Sequence, residues 1–197
     1  MNGLLQNDMT IPVMVGVVLL IVLLIGIVIY QKRKSQRPEQ RLRSVATDVL
    51  SNFLIPNGDD GEITVEHALL TRRGVVIVDI KDVEGNVFGS DSMQDWTVIS
   101  DERRFTFGNP QFALYDRLAA VRRLMANIPV SGYVVFTNRG RFSKGQPSNV
   151  IALDTLIGKL KSDNRHEDET TVLSWRPQWD LLRETAVSMQ VDHLLKS

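Results

Sequence analysis

The stretch Gly74-Val75-Val76-Ile77-Val78-Asp79-Ile80-Lys81 limits the fold more than any other part of the 197-residue chain. A turn-forming Gly precedes four β-branched apolar residues, and two opposite charges then flank Ile80. Length and residue type predict a strand, and the lack of alternation predicts burial on both faces. Side chains alternate along a strand, so Asp79 and Lys81 share one face, about 7 Å apart. An ionised pair at the end of a buried strand is costly unless something satisfies it. Two readings are open. One is a structural salt bridge where a central strand leaves the core. The other is an acid-x-lysine active site, in which the carboxylate holds a metal and the ammonium stands near the attacking water.

The remaining length supplies one globular domain with attachments. A formal net charge of zero makes no case for a nucleic-acid binder. With no cysteine, the chain has no disulfides, zinc-thiolate sites or thiol nucleophiles. His67, His166 and His193 are too scattered to suggest a metal motif.

Charge is distributed unevenly. Residues 11–30 carry no charged side chain and are dominated by Val, Leu and Ile. Twenty helical residues span about 30 Å, the thickness of a bilayer core. The run lacks a polar face, and its flanks do not match a cleavable signal peptide, so a transmembrane helix is expected over 11–30. Residues 32–43 hold six Lys or Arg and one Glu, whereas residues 1–10 hold only Asp8. The positive-inside bias puts the C-terminal side in the cytoplasm and a short tail, 1–10, outside. Localisation is therefore expected at the inner (cytoplasmic) membrane, as a single-pass protein with a basic juxtamembrane linker at 31–38.

A helix is expected from Pro38, with Leu42, Val45, Val49 and Phe53 as its apolar stripe and Glu39 in its first turn. Pro56-Asn57-Gly58 ends it with a turn. Residues 62–71 alternate as a strand that places His67 on the more apolar face, and Arg72-Arg73-Gly74 folds it back as an antiparallel hairpin. Glu66 then approaches Asp79 across the ladder, where two carboxylates repel unless a cation or proton lies between them. Short strands are expected at Val87-Phe88, Trp96 to Ile99 and Arg104 to Phe107. A helix follows from Asn109-Pro110 with Leu114, Leu118, Val121 and Met125 as its core stripe. On it, Gln111 and Tyr115 stand four apart on one face. After a strand at 132–137, residues 139–148 form a basic loop whose Arg139, Arg141 and Lys144 could meet phosphates. A last strand at 150–152 and a short helix through Leu156, Ile157 and Leu160 complete the domain. An acidic linker at 163–169 leads to an amphipathic helix opening at Pro177, with Leu181, Leu182, Thr185, Met189 and Leu194 as its stripe. Trp175 and Trp179 are expected to pack it onto the domain.

The order helix with Glu39, strand with Glu66, strand with Asp79-x-Lys81, and helix with Gln111-x-x-x-Tyr115 resembles the NERD (nuclease-related) domain of the PD-(D/E)XK nuclease superfamily. The resemblance runs over 39–161. It implies an α/β, restriction-endonuclease-like fold: a central mixed β-sheet flanked by helices, here preceded by one N-terminal transmembrane helix. It further implies metal-dependent phosphodiester hydrolysis. Glu66, Asp79 and the Ile80 carbonyl would hold Mg or Mn, with Lys81 beside the water, Gln111 and Tyr115 orienting the site and Glu39 as an outer ligand. The implied substrate is nucleic acid, DNA ahead of RNA. One departure is visible: Glu66 stands where the family usually has Asp, and Asp79 where it usually has Glu. An alternative class is a nuclease fold that no longer cleaves and binds nucleic acid or protein at the membrane.

Overall fold

The computed structural model describes residues 15, 18–23, 37–58, 61–166 and 169–196. The chain divides into two units, residues 1–37 and 38–197. In the first, the expected span over 11–30 falls mostly outside the described residues. Those that are described, 15 and 18–23, are helical and exposed. Among the described residues no helix is long and apolar enough to cross a membrane.

In the second unit, the apolar run forms β3 (Gly74–Lys81), buried over its first six residues. β3 pairs antiparallel with β2 (Glu62–Thr71), as the hairpin reading expected, and parallel with β7 (Val130–Phe136). β1 (Asp48–Pro56) lies outside β2, and β9 (Val150–Ala152) outside β7. The result is a mixed five-stranded sheet in the order β1-β2-β3-β7-β9. Gly74 has a φ of +114°, and a Cβ there would lie 2.1 Å from the Pro129 carbonyl oxygen. The start of β3 therefore requires glycine.

Helices flank the sheet. α1 is Pro38–Arg43, α2 Pro110–Leu124, α3 Leu153–His166 and α4 Glu169–Lys196. β3 divides its residues between two cores, as strand alternation requires. Val75 and Ile77 join Leu114, Leu118, Val121 and Met125, the expected stripe of the helix now labelled α2. Val76 and Val78 join Leu42, Leu156 and Leu160 on the α1 and α3 side. α2 begins at Asn109-Pro110 as expected, with the Asn109 side chain accepting the Gln111 N–H at 2.9 Å.

A second, four-stranded sheet holds β4 (Gly85–Phe88), β5 (Asp95–Ile99), β6 (Arg104–Gly108) and β8 (Gly140–Phe142), in the order β6-β5-β4-β8. Trp96 is fully buried against the rings of Phe107, Phe136 and Phe142 at 5.8–6.3 Å. This ring cluster joins β5 and β6 to β7 of the first sheet.

Three expectations are corrected. The helix expected from Pro38 through Phe53 stops at Arg43, and Val49 and Phe53 lie in β1. Asn52 takes a left-handed φ of 51°, and the ladder pairs Ser51 with His67 and Phe53 with Val65 while skipping Asn52 and Glu66. Core-facing positions consequently change from Leu50 and Ala68 to Phe53, Ile55 and Val65. That change of phase erased the two-residue alternation and left a spacing of four that imitated a helix. Next, the linker expected at 163–169 is largely helix, since α3 runs to His166 and α4 starts at Glu169. Finally, Pro177 lies inside α4 rather than at its start. The carbonyl it cannot bond belongs to Leu173, an exposed residue, so water can satisfy it. Trp179 is fully buried and Trp175 packs beside it, with Val172, Leu182 and Ala186 completing the contact; Leu181 is exposed.

Candidate active site

Alternation puts Asp79 and Lys81 on the same face of β3 as Val75 and Ile77, the face covered by α2. They stand at the end where β3 and its parallel neighbour β7 both finish, with Asp79 level with Val134 and Lys81 level with Phe136. Ligand sites of sheets with parallel strands commonly form at such carboxyl ends.

The antiparallel ladder between β2 and β3 ends at the pair His67 and Val78. Glu66, the next residue of β2, lies close enough to Asp79 for the two carboxylate charges to interact. Its Oε2 accepts the Ile80 N–H at 3.0 Å, which ties the side chain to the strand carrying Asp79. The sequence expectation that Glu66 approaches Asp79 is met. Burial raises the Glu66 pKa, opposed by the Ile80 N–H and by the charge of Lys81.

Asp79 is more deeply enclosed, with 1% of its surface exposed. Burial raises its pKa, against the opposing charges of Arg117 and Lys81. Its Oδ2 accepts from Arg117 Nη1 at 2.6 Å. Its Oδ1 is buried and has no hydrogen-bond partner among the described residues. A buried carboxylate oxygen without a donor is costly, and a bound cation would satisfy it.

Arg117 is the residue that sequence reasoning missed. Its Nε donates to the Thr64 carbonyl at 2.7 Å, so one side chain bridges α2, β2 and β3. A signal was present: an arginine three residues after Leu114 and one before Leu118 lies beside the core stripe rather than on the solvent face.

The other candidates are dispersed. Residues two apart on a helix stand about 160° from each other, so Tyr115 faces away from the flank on which Arg117 reaches Asp79. Tyr115 is exposed. Gln111 is buried, but its Nε2 donates to Asp91 Oδ1 at 2.7 Å and to the Ser148 carbonyl at 2.6 Å. Ser148 also donates its N–H and hydroxyl to Asp91, both at 2.8 Å, so Gln111 joins a loop clasp. Those bonds lower the Asp91 pKa. Gln111 Oε1 has no partner among the described residues.

Glu39 is exposed at the start of α1, on the opposite face of the sheet from Glu66 and Asp79. Its charge is felt by His67, whose pKa burial lowers and Glu39 partly restores. His67 is buried with Nδ1 2.9 Å from Ser51 Oγ, in keeping with a satisfied core histidine. Arg139 is paired with Asp82 and lies 3.6 Å from Glu84, so its charge is already balanced. Arg141 is exposed on β8, and the Lys144 ammonium stands 5.9 Å from the centre of the Phe88 ring.

The structure therefore brings together Glu66, Asp79, Lys81 and Arg117, and leaves Glu39, Gln111 and Tyr115 outside that group. Among the described residues no three or more His, Asp or Glu side chains converge as a metal cluster. Two carboxylates and a main-chain carbonyl are still a suitable oxygen set for a small hard cation that keeps several waters. The unpartnered Asp79 Oδ1 fits such an ion.

A family model described as the nuclease-related domain matches residues 32–137, more than half of the chain. The match contains Glu66, Asp79, Lys81 and Arg117. No curated protein and no solved structure matches the chain.

Proposed function

The chain belongs to the NERD, or nuclease-related domain, family, and from that premise we propose that it is a metal-dependent phosphodiesterase acting on DNA or RNA. The observation that carries the reading is the buried, unpartnered Oδ1 of Asp79 beside the Glu66 carboxylate, which calls for a cation. Glu66, Asp79 and the Ile80 carbonyl would hold magnesium or manganese. When bound, the ion would acidify a water and stabilise charge on the phosphate.

The protein's own groups have separate tasks. The Ile80 N–H fixes the Glu66 side chain. Arg117 balances Asp79 and fixes its Oδ2. Lys81, whose charge acts on both carboxylates, opposes negative charge that grows on the phosphate during attack. Gln111 acts through the loop it fastens to Asp91 and Ser148. Arg141 and Lys144 lie on the exposed strand and loop that could meet the nucleic-acid backbone.

Residues 11–30 are proposed to anchor the domain in the inner membrane, with residues 38–197 in the cytoplasm. Support comes from the charge-free run, the basic flank after it, and the exposure of the described apolar residues at 15 and 18–23. The deciding experiment incubates the full chain with labelled DNA and RNA in magnesium, manganese or chelator. Cleavage that requires metal and is lost in Glu66→Gln and Asp79→Asn supports the hydrolytic reading.

One observation favours a second reading. Arg117 already neutralises Asp79 at 2.6 Å, as in a domain that binds without cleaving. Binding of nucleic acid with no cleavage under any metal would establish that alternative.

A further inference from the structure

We infer that Arg117 is a resident counter-cation of this site, one that makes a divalent ion bind weakly alone and more tightly together with a phosphodiester. The inference rests on the metal-dependent reading above.

Arg117 is held at two points, by Asp79 Oδ2 and by the Thr64 carbonyl. It blocks one carboxylate oxygen and leaves only the buried Oδ1 open. The charges on this face then balance: Glu66 and Asp79 carry two negative charges, Lys81 and Arg117 two positive. A divalent ion entering this balanced, partly desolvated group creates a surplus of two positive charges. A phosphodiester brings negative charge that offsets it, so each ligand favours the other, and the coupling is reciprocal.

Arg117 can also make the anion contact itself. Its two recorded bonds use two of the five N–H donors of a guanidinium, and the side chain is 22% exposed. A planar fork with donors left over suits a phosphate. Among the described residues the Lys81 main chain accepts the Thr137 N–H at 3.1 Å, while its ammonium makes no hydrogen bond or ion pair and can face the same anion. A site that only needed a counterion for a buried carboxylate would be complete with Arg117. The unpartnered oxygen and the second cation are what a shared metal and phosphate site adds.

The test measures Mn2+ affinity of the full chain by electron paramagnetic resonance, with and without a phosphorothioate oligonucleotide that resists hydrolysis. Wild type should bind Mn2+ weakly alone and at least about tenfold more tightly with the oligonucleotide. Arg117→Gln and Arg117→Met should bind Mn2+ alone at least about tenfold more tightly than wild type, because one nearby unit charge is gone. Both should lose most of the oligonucleotide's enhancement. Arg117→Lys, which keeps the charge, should retain the wild-type pattern.

Equal Mn2+ affinity in folded Gln or Met variants and wild type would overturn the inference and leave the metal reading standing. Independence of Mn2+ from oligonucleotide in wild type would overturn it as well, whether or not the variants fold. Failure of every protein to bind Mn2+, with or without oligonucleotide, would overturn the metal reading and this inference with it.

Discussion

Lys81→Met separates a chemical role from a structural one. The substitution keeps the aliphatic stem and removes the charge. If Lys81 were the salt-bridge partner of buried Asp79, its loss would strand a carboxylate and cost about 3–5 kcal/mol. The structure gives that place to Arg117, 2.6 Å from Asp79 Oδ2, while Lys81 acts on Glu66 and Asp79 only through space. A half-buried charge acting through space is worth up to about 1 kcal/mol. For a domain of this size, that lowers the melting temperature by about 2–4 °C. Arg117→Met should instead lower it on the order of 10 °C, from the same conversion applied to a stranded carboxylate. Cleavage should respond differently. In the hydrolytic reading, removing a cation that opposes transition-state charge costs at least about 100-fold. Paired assays decide the matter: thermal melts of both variants, and cleavage of a labelled oligonucleotide in manganese. A Lys81→Met variant that melts as far below wild type as Arg117→Met refutes this assignment of partners. A stable variant with undiminished cleavage removes Lys81 from the chemistry.

Four further outcomes are expected. Burial holds the Glu66 pKa above the ordinary 4.5, so its contribution to stability is fully present below about pH 4.5 and is lost as pH rises through the folded value. Glu66→Gln keeps an acceptor for Ile80, so its melting advantage over wild type should be absent at pH 4 and grow toward pH 8 in thermal melts. Magnesium or manganese should raise the melting temperature of wild type by mass action, and the Glu66→Gln, Asp79→Asn double variant should show no such rise. Asp48→Ala removes the acceptor for Trp179 Nε1 at 3.1 Å and Arg183 Nη2 at 2.6 Å; it should cost about 2 kcal/mol in urea unfolding and speed proteolysis within α4. Protease added outside intact cells should spare residues 38–197; digestion there would overturn the proposed orientation.

Local signals with a single cause were legible in the sequence. The β-branched run of β3, the Gly74 turn, and the Asn109-Pro110 start of α2 each follow from one steric or capping preference, and each stands where expected. The α2 stripe was equally clear because four core positions kept the helical period without interruption. Signals failed where two influences overlapped. In β1, the left-handed Asn52 shifted the phase of a strand and disguised it as a helix. In α4, Pro177 looked like a boundary because proline usually opens helices, yet its missing N–H faces an exposed turn. The site divides along the same line. Glu66 and Asp79 were legible as neighbours because a hairpin register fixes which residues oppose each other. Arg117 was not, because its reach across 38 positions to Asp79 depends on where α2 lies over the sheet. Gln111 and Tyr115 were grouped by their spacing of four, but spacing fixes a shared helix face and not what that face meets.

The placement of Glu on β2 and Asp on β3 has a geometric basis in this sheet. The β2–β3 ladder ends one residue before Glu66, leaving the Ile80 N–H without a main-chain acceptor from β2. Glu66 has the extra methylene needed to reach across that gap, and its Oε2 supplies the acceptor at 3.0 Å. On β3 the requirement is opposite. Asp79 is enclosed under α2 at 1% exposure, where Arg117 occupies one oxygen and the other is buried. A longer acid there would have to place an additional methylene in a packed interior or push its carboxylate past Arg117. The longer side chain thus stands where the strands part and the shorter one where the core closes. Both carboxylates stand on one face, so the two side-chain lengths differ in reach while two negative charges stay together. The paired charge thus stays on one face, while the local packing sets the length of each arm.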